Sequence, residues 1–502
     1  MLHTRAESSG YTETSSHADV MAFLSALADR GDPRVHLSTF GLSPQGRVLP
    51  YVVLSTRGIR TPEQAHRSGL PVVLLVDGIH PGEVEGKEAT LALLRDIVHR
   101  SEGSWLDEMT LVIVPLFNPD GNDALDPENR RLDLSRLSGQ PGPVVGTRTQ
   151  SDGINLNRDY MRHAALEMRR LQHRIAQPWR PHLTIDNHAT NGSVHRMEMT
   201  VDIPHTEESG RREPIAFMRD RLVPEVTKAV ASRGVASGWY GNFVEDEAAL
   251  SALGRADPEG STTLGWTTYP HHPRFGSNYR GLTNRLDLLL ECYSYLPFER
   301  RVQVARAWQV ETLSWVAAHA EEVRDVVAHS ETPPDEIAVR YRLEAREEPV
   351  TIPTTSPRTP DGDPVEVTLP HHARFVGEEV VRRPLAYAVH PRVGAHLKSH
   401  GLRVDPAPAH LQVEIPRVAS VDREAGRAIL ESASFGDVQV AWRTNGCAVP
   451  DGWQVVRTAQ PLGAVAVYLC EPRSDDGIVE NGIVAPVATG SDHPAWRVLD
   501  GL

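Results

Sequence analysis

The chain has 502 residues, 40% of them apolar and 24% charged, and a formal net charge of −14. That length exceeds what one hydrophobic core usually serves and predicts a large domain with at least one smaller companion. With a pI near 5.9 and no Lys/Arg run longer than pairs such as Arg130-Arg131, the chain is not built to neutralise phosphates, so nucleic acid is excluded as an expected partner. Cys292, Cys447 and Cys470 are odd in number and widely spaced. They indicate neither a disulfide framework nor a thiolate metal site, and they fit a reducing compartment. The opening residues lack the apolar region of a secretory signal and no stretch approaches the length of a membrane span, so the expectation is a cytoplasmic protein with no membrane partner.

Ser16 is a candidate N-cap for a helix over 16–29 whose Val20, Phe23, Leu24 and Leu27 share one face. The apolar, β-branched runs at 48–55 and 71–78 read as buried strands. A helix follows over 83–101 with Leu91, Leu94 and Val98 turned inward, and 111–121 is another strand closed by a turn. Strand, helix, strand implies a crossover unit and a largely buried sheet, hence an α/β fold. Strands at 182–188 and 285–295 and helices at 213–233 and 298–327 continue the pattern. Between about 331 and 370, Pro, Thr and Asp cluster without period, which predicts a linker or long turns. Beyond it, 411–415, 452–458 and 464–469 read as short strands. The expected organisation is a catalytic domain over 1–330, a connector over 331–370 and a small β-rich domain over 371–502.

His80 and Glu83 stand just past a buried strand, at the mouth where open α/β sheets collect ligands. Imidazole and carboxylate are sound zinc ligands, and a catalytic site needs a third protein ligand and room for water. His188, at the end of the apolar run HLTIDNH, meets that requirement better than His182 or His195. An isolated H-x-x-E pair is a weak signal, since a salt-bridge partner on a first helical turn looks the same. Pro81-Gly82 between the two residues favours a sharp, fixed turn instead. Asn157 and Arg158 form a pair in which a guanidinium grips a free carboxylate while an amide adds a donor. Glu291 closes the apolar strand RLDLLLE, where alternation sends it to the face opposite Cys292 and where a carboxylate must be paired or useful.

In order along residues 8–330 stand SGYTET, DGIHPGEVEGKEA, PLFNPDGND, GINLNRDYM, DNHATNGS and PRFGSNYRGLTNRLDLLLECYSY. Together these segments resemble the zinc carboxypeptidases, or metallocarboxypeptidases. RPLAYAVHP, LKSHGLRV and QPLGAVAVYLCEPRSDDGIVENG resemble the C-terminal extension of a bacterial subgroup. The resemblance implies a mixed, mostly parallel central sheet flanked by helices, followed by a smaller β-rich domain. It implies one zinc ion per chain held by His80, Glu83 and His188, with Glu291 as general base and Asn157 and Arg158 on the substrate's carboxylate. Arg148, nine residues before Asn157, takes the oxyanion role ahead of Arg130, Arg131 and Arg136. For the tyrosine that closes over substrate, spacing to Glu291 favours Tyr269 and the local motif SNYRG favours Tyr279; Tyr279 is the choice.

The function implied is hydrolysis of a C-terminal peptide or amide bond in a peptide or small amide with a free carboxylate. A zinc amidohydrolase or deacylase acting on a small N-acyl amino acid, and a non-catalytic peptide-binding module, are the alternatives. No G-x-S-x-G elbow supports a serine hydrolase. The acidic SDDG at 474–477 reads as a turn with solvated carboxylates, not a calcium loop.

Overall fold

The structure, a computed structural model, describes residues 2–99, 102–190, 192–244, 265–356, 358–422 and 437–502. An eight-stranded sheet positions the site. Its strands are β1 (Val35–Leu42), β2 (Val48–Leu54), β3 (Val72–Val76), β4 (Thr110–Val114), β5 (Leu183–Ala189), β6 (Met199–Asp202), β7 (Ser237–Trp239) and β8 (Leu286–Cys292). They lie in the order β1-β2-β4-β3-β5-β8-β6-β7. The centre, β4-β3-β5-β8, is parallel, with antiparallel pairs on either side. Helix Glu85–Val98 carries the chain from β3 to β4, the crossover that parallel neighbours require.

Continuous apolar runs form these strands because both faces of the sheet are covered. Along β3, Leu74 and Val76 join one buried cluster while Val73 and Leu75 join another. The first cluster also takes in Tyr387, Val393, Val465 and Tyr468 from the C-terminal part, so that part covers one face of the central sheet. Helix His17–Ala28 starts at the expected N-cap, with Ser16 and Asp19 closing a capping box and Val20, Phe23, Leu24 and Leu27 buried.

Several local expectations are corrected. The segment read as linker or long turns forms strands Glu336–Ala345, Val350–Ser356 and Asp363–Leu369. The last two make a hairpin with Pro353 opposite Glu366; a two-stranded ribbon is all edge, which is where proline is tolerated. Strands from before and after this segment share one sheet, since Gly265–Thr267 runs parallel to His371–Arg382. The run at 464–469, read as a strand, lies in helix Gly463–Cys470, every residue of which is buried. A helix that is apolar all round carries no period to distinguish it from a strand. The span 298–327 is two helices, Phe298–Ala318 and Ala320–His329, parted at His319. Beyond them a six-stranded sheet, with strands Ala386–Val389, His410–Asp422, Asp437–Ala448 and Ala495–Asp500 among its members, makes the tail β-rich.

Candidate metal centre and cleft

Because β3, β5 and β8 run parallel, their C-terminal ends open on the same edge of the sheet, and His80, His188 and Glu291 follow from those ends. His80 and Glu83 are joined by a turn closed by the Glu83 N–H to His80 carbonyl bond of 2.9 Å, as Pro81-Gly82 predicts. Gly82 is needed there, since a Cβ would stand 2.7 Å from the Arg130 side chain. His80, Glu83 and His188 are each buried and their ligand atoms lie within 4.8 Å of one another. His80 Nδ1 is 3.2 Å from Glu83 Oε1, and His188 Nδ1 is 2.8 Å from Glu83 Oε2.

The other ring nitrogens are occupied. His80 Nε2 lies 3.1 Å from Asn155 Oδ1, an atom that also accepts from the Asn157 N–H and is therefore the amide oxygen. His188 Nε2 faces Asp186 Oδ1 at 3.2 Å. The His80 Nε2–H is thus engaged by an amide oxygen, His188 Nε2 lies beside the Asp186 carboxylate and 3.5 Å from Asn157 Nδ2, and both Nδ1 atoms face Glu83; groups behind the ligands of this kind orient the rings in metal sites. Burial pushes His80 down to about 4 against the pull of Glu83. Burial also opposes charge on His188, but Asp186 and Glu83 hold it well above the usual range. Two imidazoles and a carboxylate are a zinc donor set, and tetrahedral zinc spaces its ligand atoms by about 3.3 Å. The two histidine nitrogens approach the two Glu83 oxygens at 3.2 and 2.8 Å, near that spacing.

Glu291 is the register partner of His188 across β5 and β8. Alternation does as expected: Cys292 enters the core with Leu288 and Leu290, while Leu289 and Glu291 line the cleft. Burial raises the Glu291 carboxyl to about 8, with His188 opposing and the Glu83 charge adding. The cleft holds a cavity of about 450 Å³ lined by His80, Glu83, Arg148, Asn157, Arg158, His188 and Glu291. Seven of the eight residues singled out in the sequence thus share one wall.

The eighth does not. Tyr279 packs on Tyr160 in the buried core and its hydroxyl meets His400 Nδ1 at 2.8 Å. Tyr269 lines the cleft instead, its hydroxyl donating to the Ile203 carbonyl at 3.0 Å. Tyr279 sits inside helix Gly276–Leu282 and is buried there. Arg148 stands 3.5 Å from Glu83 Oε1, whereas Arg130, passed over, is closer at 3.1 Å and is fixed by the carbonyls of Ala189 and Thr190. Arg131 and Arg136 pair at the surface with Glu128 and Asp133. His182 Nδ1 accepts from the Val72 N–H, and His195 packs on Trp266 and Tyr293.

Sequence reasoning missed Asn155, Asp186, Tyr240 and Phe243. Asp186 was readable from alternation, two residues before His188 on one face of β5; Tyr240 and Phe243, which line the cleft, carry no local signal. The SDDG segment is also corrected. Asp476 is buried and takes Arg274 through Oδ1 at 2.7–2.8 Å and the Arg274 N–H at 2.6 Å. Asp475 accepts from Tyr468 at 2.7 Å and pairs with His271 at 2.7 Å. These contacts fasten the loop 269–276, which supplies Tyr269, the Phe275 ring under Arg158 at 3.8 Å and the Gly276 N–H to Asn157 Oδ1 at 2.8 Å.

Fold and His-Glu-His centre together describe an α/β protein with a candidate metal site at the C-terminal edge of its parallel strands. The family model described as zinc carboxypeptidase matches residues 20–186, a span that holds His80, Glu83, Arg148, Asn157 and Arg158 and ends just before His188. Among solved structures, a metallo-carboxypeptidase from Burkholderia cenocepacia is 20% identical, with 61% of this chain and 70% of that one covered and a TM-score of 0.39. A metallo-carboxypeptidase from Pseudomonas aeruginosa, in complex with (2-guanidinoethylmercapto)succinic acid, is 17% identical over 62% and 71% with a TM-score of 0.41. Carboxypeptidase A from Helicoverpa armigera is 15% identical over 62% and 75% with a TM-score of 0.39. A comparison with curated proteins returns no match. Among the described residues no helix is long and apolar enough to cross a membrane.

Proposed function

We propose that the chain is a zinc carboxypeptidase that removes the C-terminal residue of a peptide-like substrate by hydrolysing its last amide bond. The observation that carries this reading is the single cavity in which a base, Glu291, faces the His80-Glu83-His188 donors while Arg158 and Asn157 line it too. Zinc held by His80, Glu83 and His188 would polarise the scissile carbonyl and acidify the attacking water. Glu291 takes the proton of that water as the oxygen bonds to the carbonyl carbon, and delivers it to the amide nitrogen as the carbon–nitrogen bond breaks. A dication beside Glu291 favours its ionised form, which the raised carboxyl needs in order to act as base. Arg148 meets the charge that develops on the carbonyl oxygen.

Arg158 sets the substrate class. Its Nη1 donates to the Asn157 carbonyl at 2.7 Å and its guanidinium carbon lies 3.8 Å from the centre of the Phe275 ring, so it is oriented toward the cleft before substrate arrives, and a guanidinium recognises a carboxylate. Asn157 Oδ1 is engaged by Gly276 and its amide nitrogen lies 3.5 Å from His188 Nε2, which places that donor between the metal centre and Arg158. Turnover of C-terminally free, amidated and N-acylated substrates, read by mass spectrometry, tests this. Free peptides are expected to be cut and amidated ones spared; equal turnover of both would sink the carboxypeptidase reading. Glu291→Gln is expected to lower kcat by about 10²–10⁴-fold with zinc content unchanged, and intact turnover would remove Glu291 from the mechanism.

A further inference from the structure

A second cavity, of about 310 Å³, lies apart from the cleft. Its wall includes Leu74 of β3 and Thr184 of β5, which are register partners. Side chains alternate along a strand, so Thr184, Asp186 and His188 share one face of β5, and at about 3.3 Å per residue the wall lies roughly 13 Å from His188. The volume is at the lower end of the range for small-molecule sites, about 300–1,000 Å³.

The lining decides the chemistry. Leu171, Ala176, Pro461 and Leu462 give an apolar body. Arg180, Arg280 and Arg285 also line it, and no Asp or Glu does. Arg280 is matched by Asp186 and Asp287, each at 2.7 Å. Arg180 and Arg285, by contrast, both contact the one carboxylate of Glu331. Burial, with Arg180 beside it, pushes Arg285 down to about 10, the direction expected where two cations share one counter-charge. His400 adds no charge, because burial holds it well below its usual range; it offers a ring engaged with Tyr279.

We propose that this cavity is a second ligand site, taking a small carboxylate with an apolar body and no cationic group. A free amino acid is disfavoured, since three arginines and no carboxylate stand among the described lining residues to meet its ammonium. The site does not depend on the chain being a peptidase.

The test is calorimetric titration of full-length protein with 4-phenylbutyrate, 4-phenylbutan-1-ol and 4-phenylbutylamine. An Arg158→Gln background removes the guanidinium of the cleft as a competing carboxylate site. Saturable one-to-one binding of the carboxylate is expected, at least about tenfold tighter than the alcohol, as a charge-assisted contact requires, with no binding of the amine. Arg285→Gln is expected to weaken it about tenfold, and Ala176→Phe, which fills the cavity, to abolish it. If Ala176→Phe fails to fold, Arg285→Gln decides. Absence of saturable binding at millimolar carboxylate, equal affinity for the alcohol, or unchanged affinity in Arg285→Gln would overturn the proposal.

Discussion

Two clusters of two histidines and one carboxylate occur among the described residues, His80-Glu83-His188 and His271-His272-Asp475. Their composition is the same, but their geometry is not. In the first, the rings are tilted by 59° with centroids 5.0 Å apart, and both Nδ1 atoms converge on Glu83 while Asn155 and Asp186 hold the far nitrogens. In the second, the rings stack at 4.3 Å and 23°. A ring nitrogen's lone pair lies in the ring plane, so near-parallel rings do not aim at one point. Asp475 is moreover engaged on both oxygens, by His271 and Tyr468, whereas the first cluster opens on the cleft cavity. Convergence makes a metal site; the same residue types without it make a brace.

The sharpest way to break this comparison is to remove one carboxylate from each cluster. Glu83→Gln is expected to drop zinc from one per chain to near none and to abolish turnover, while Asp475→Asn keeps its zinc; elemental analysis of both proteins decides. If Asp475→Asn also lost metal, the second cluster would be more than a brace. Next in size, Arg274→Ala strands the buried Asp476, and breaking such a pair costs about 3–5 kcal/mol of stability. Denaturant unfolding should show that loss with zinc stoichiometry intact. KM should rise as well, because the fastened loop carries Tyr269 and Phe275.

Smaller still is the effect of the groups behind the ligands. Asp186→Asn and Asn155→Ala are expected to weaken zinc affinity by about 10–100-fold, measured by competition with a chelator; unchanged affinity in both would mean the rings are oriented by packing alone. The mildest effect is on pH. Burial lowers His396 and His493 to about 4, while in the unfolded chain each takes a proton near the ordinary value of about 6.5. Between these values the unfolded state binds more protons at these two positions, so the stability they contribute falls as pH drops from about 6.5 to 4 and is fully present above that window, while the raised carboxyls of Asp77 and Glu167, at about 7, act in the opposite direction. A His396→Gln, His493→Gln variant whose unfolding midpoint kept the parent's dependence on pH across this window would contradict it. Comparisons of the two clusters therefore belong above pH 6.5.

Much of the cleft was legible because its parts are local. His80 and Glu83 are joined by one turn, Asn157 and Arg158 are neighbours in the chain, and His188 and Glu291 each close an apolar run at a strand end. Alternation then fixes the face that Glu291 and Cys292 take. What was not legible has a common origin in distance along the chain. Tyr269 and Tyr279 differ only in the side of a loop and helix to which each is turned. Arg130 reaches Glu83 from a segment with no period. Asp476 looks like a solvated turn until Arg274, far earlier in the sequence, is brought against it.

The sequence by itself determined the α/β crossover, the strand ends on which the ligands stand and the residue types of the centre, because these rest on periodicity and on contacts a few residues apart. The tertiary structure alone decided which tyrosine enters the cleft and which of two His-His-carboxylate clusters converges. It alone also decided that the tail, expected as a small β-rich domain after a linker or long turns, covers a face of the central sheet and fastens the wall of the cleft. Those outcomes depend on packing between elements far apart in the chain, where burial removes water from Asp476 or His400 and leaves only the partners that the fold supplies.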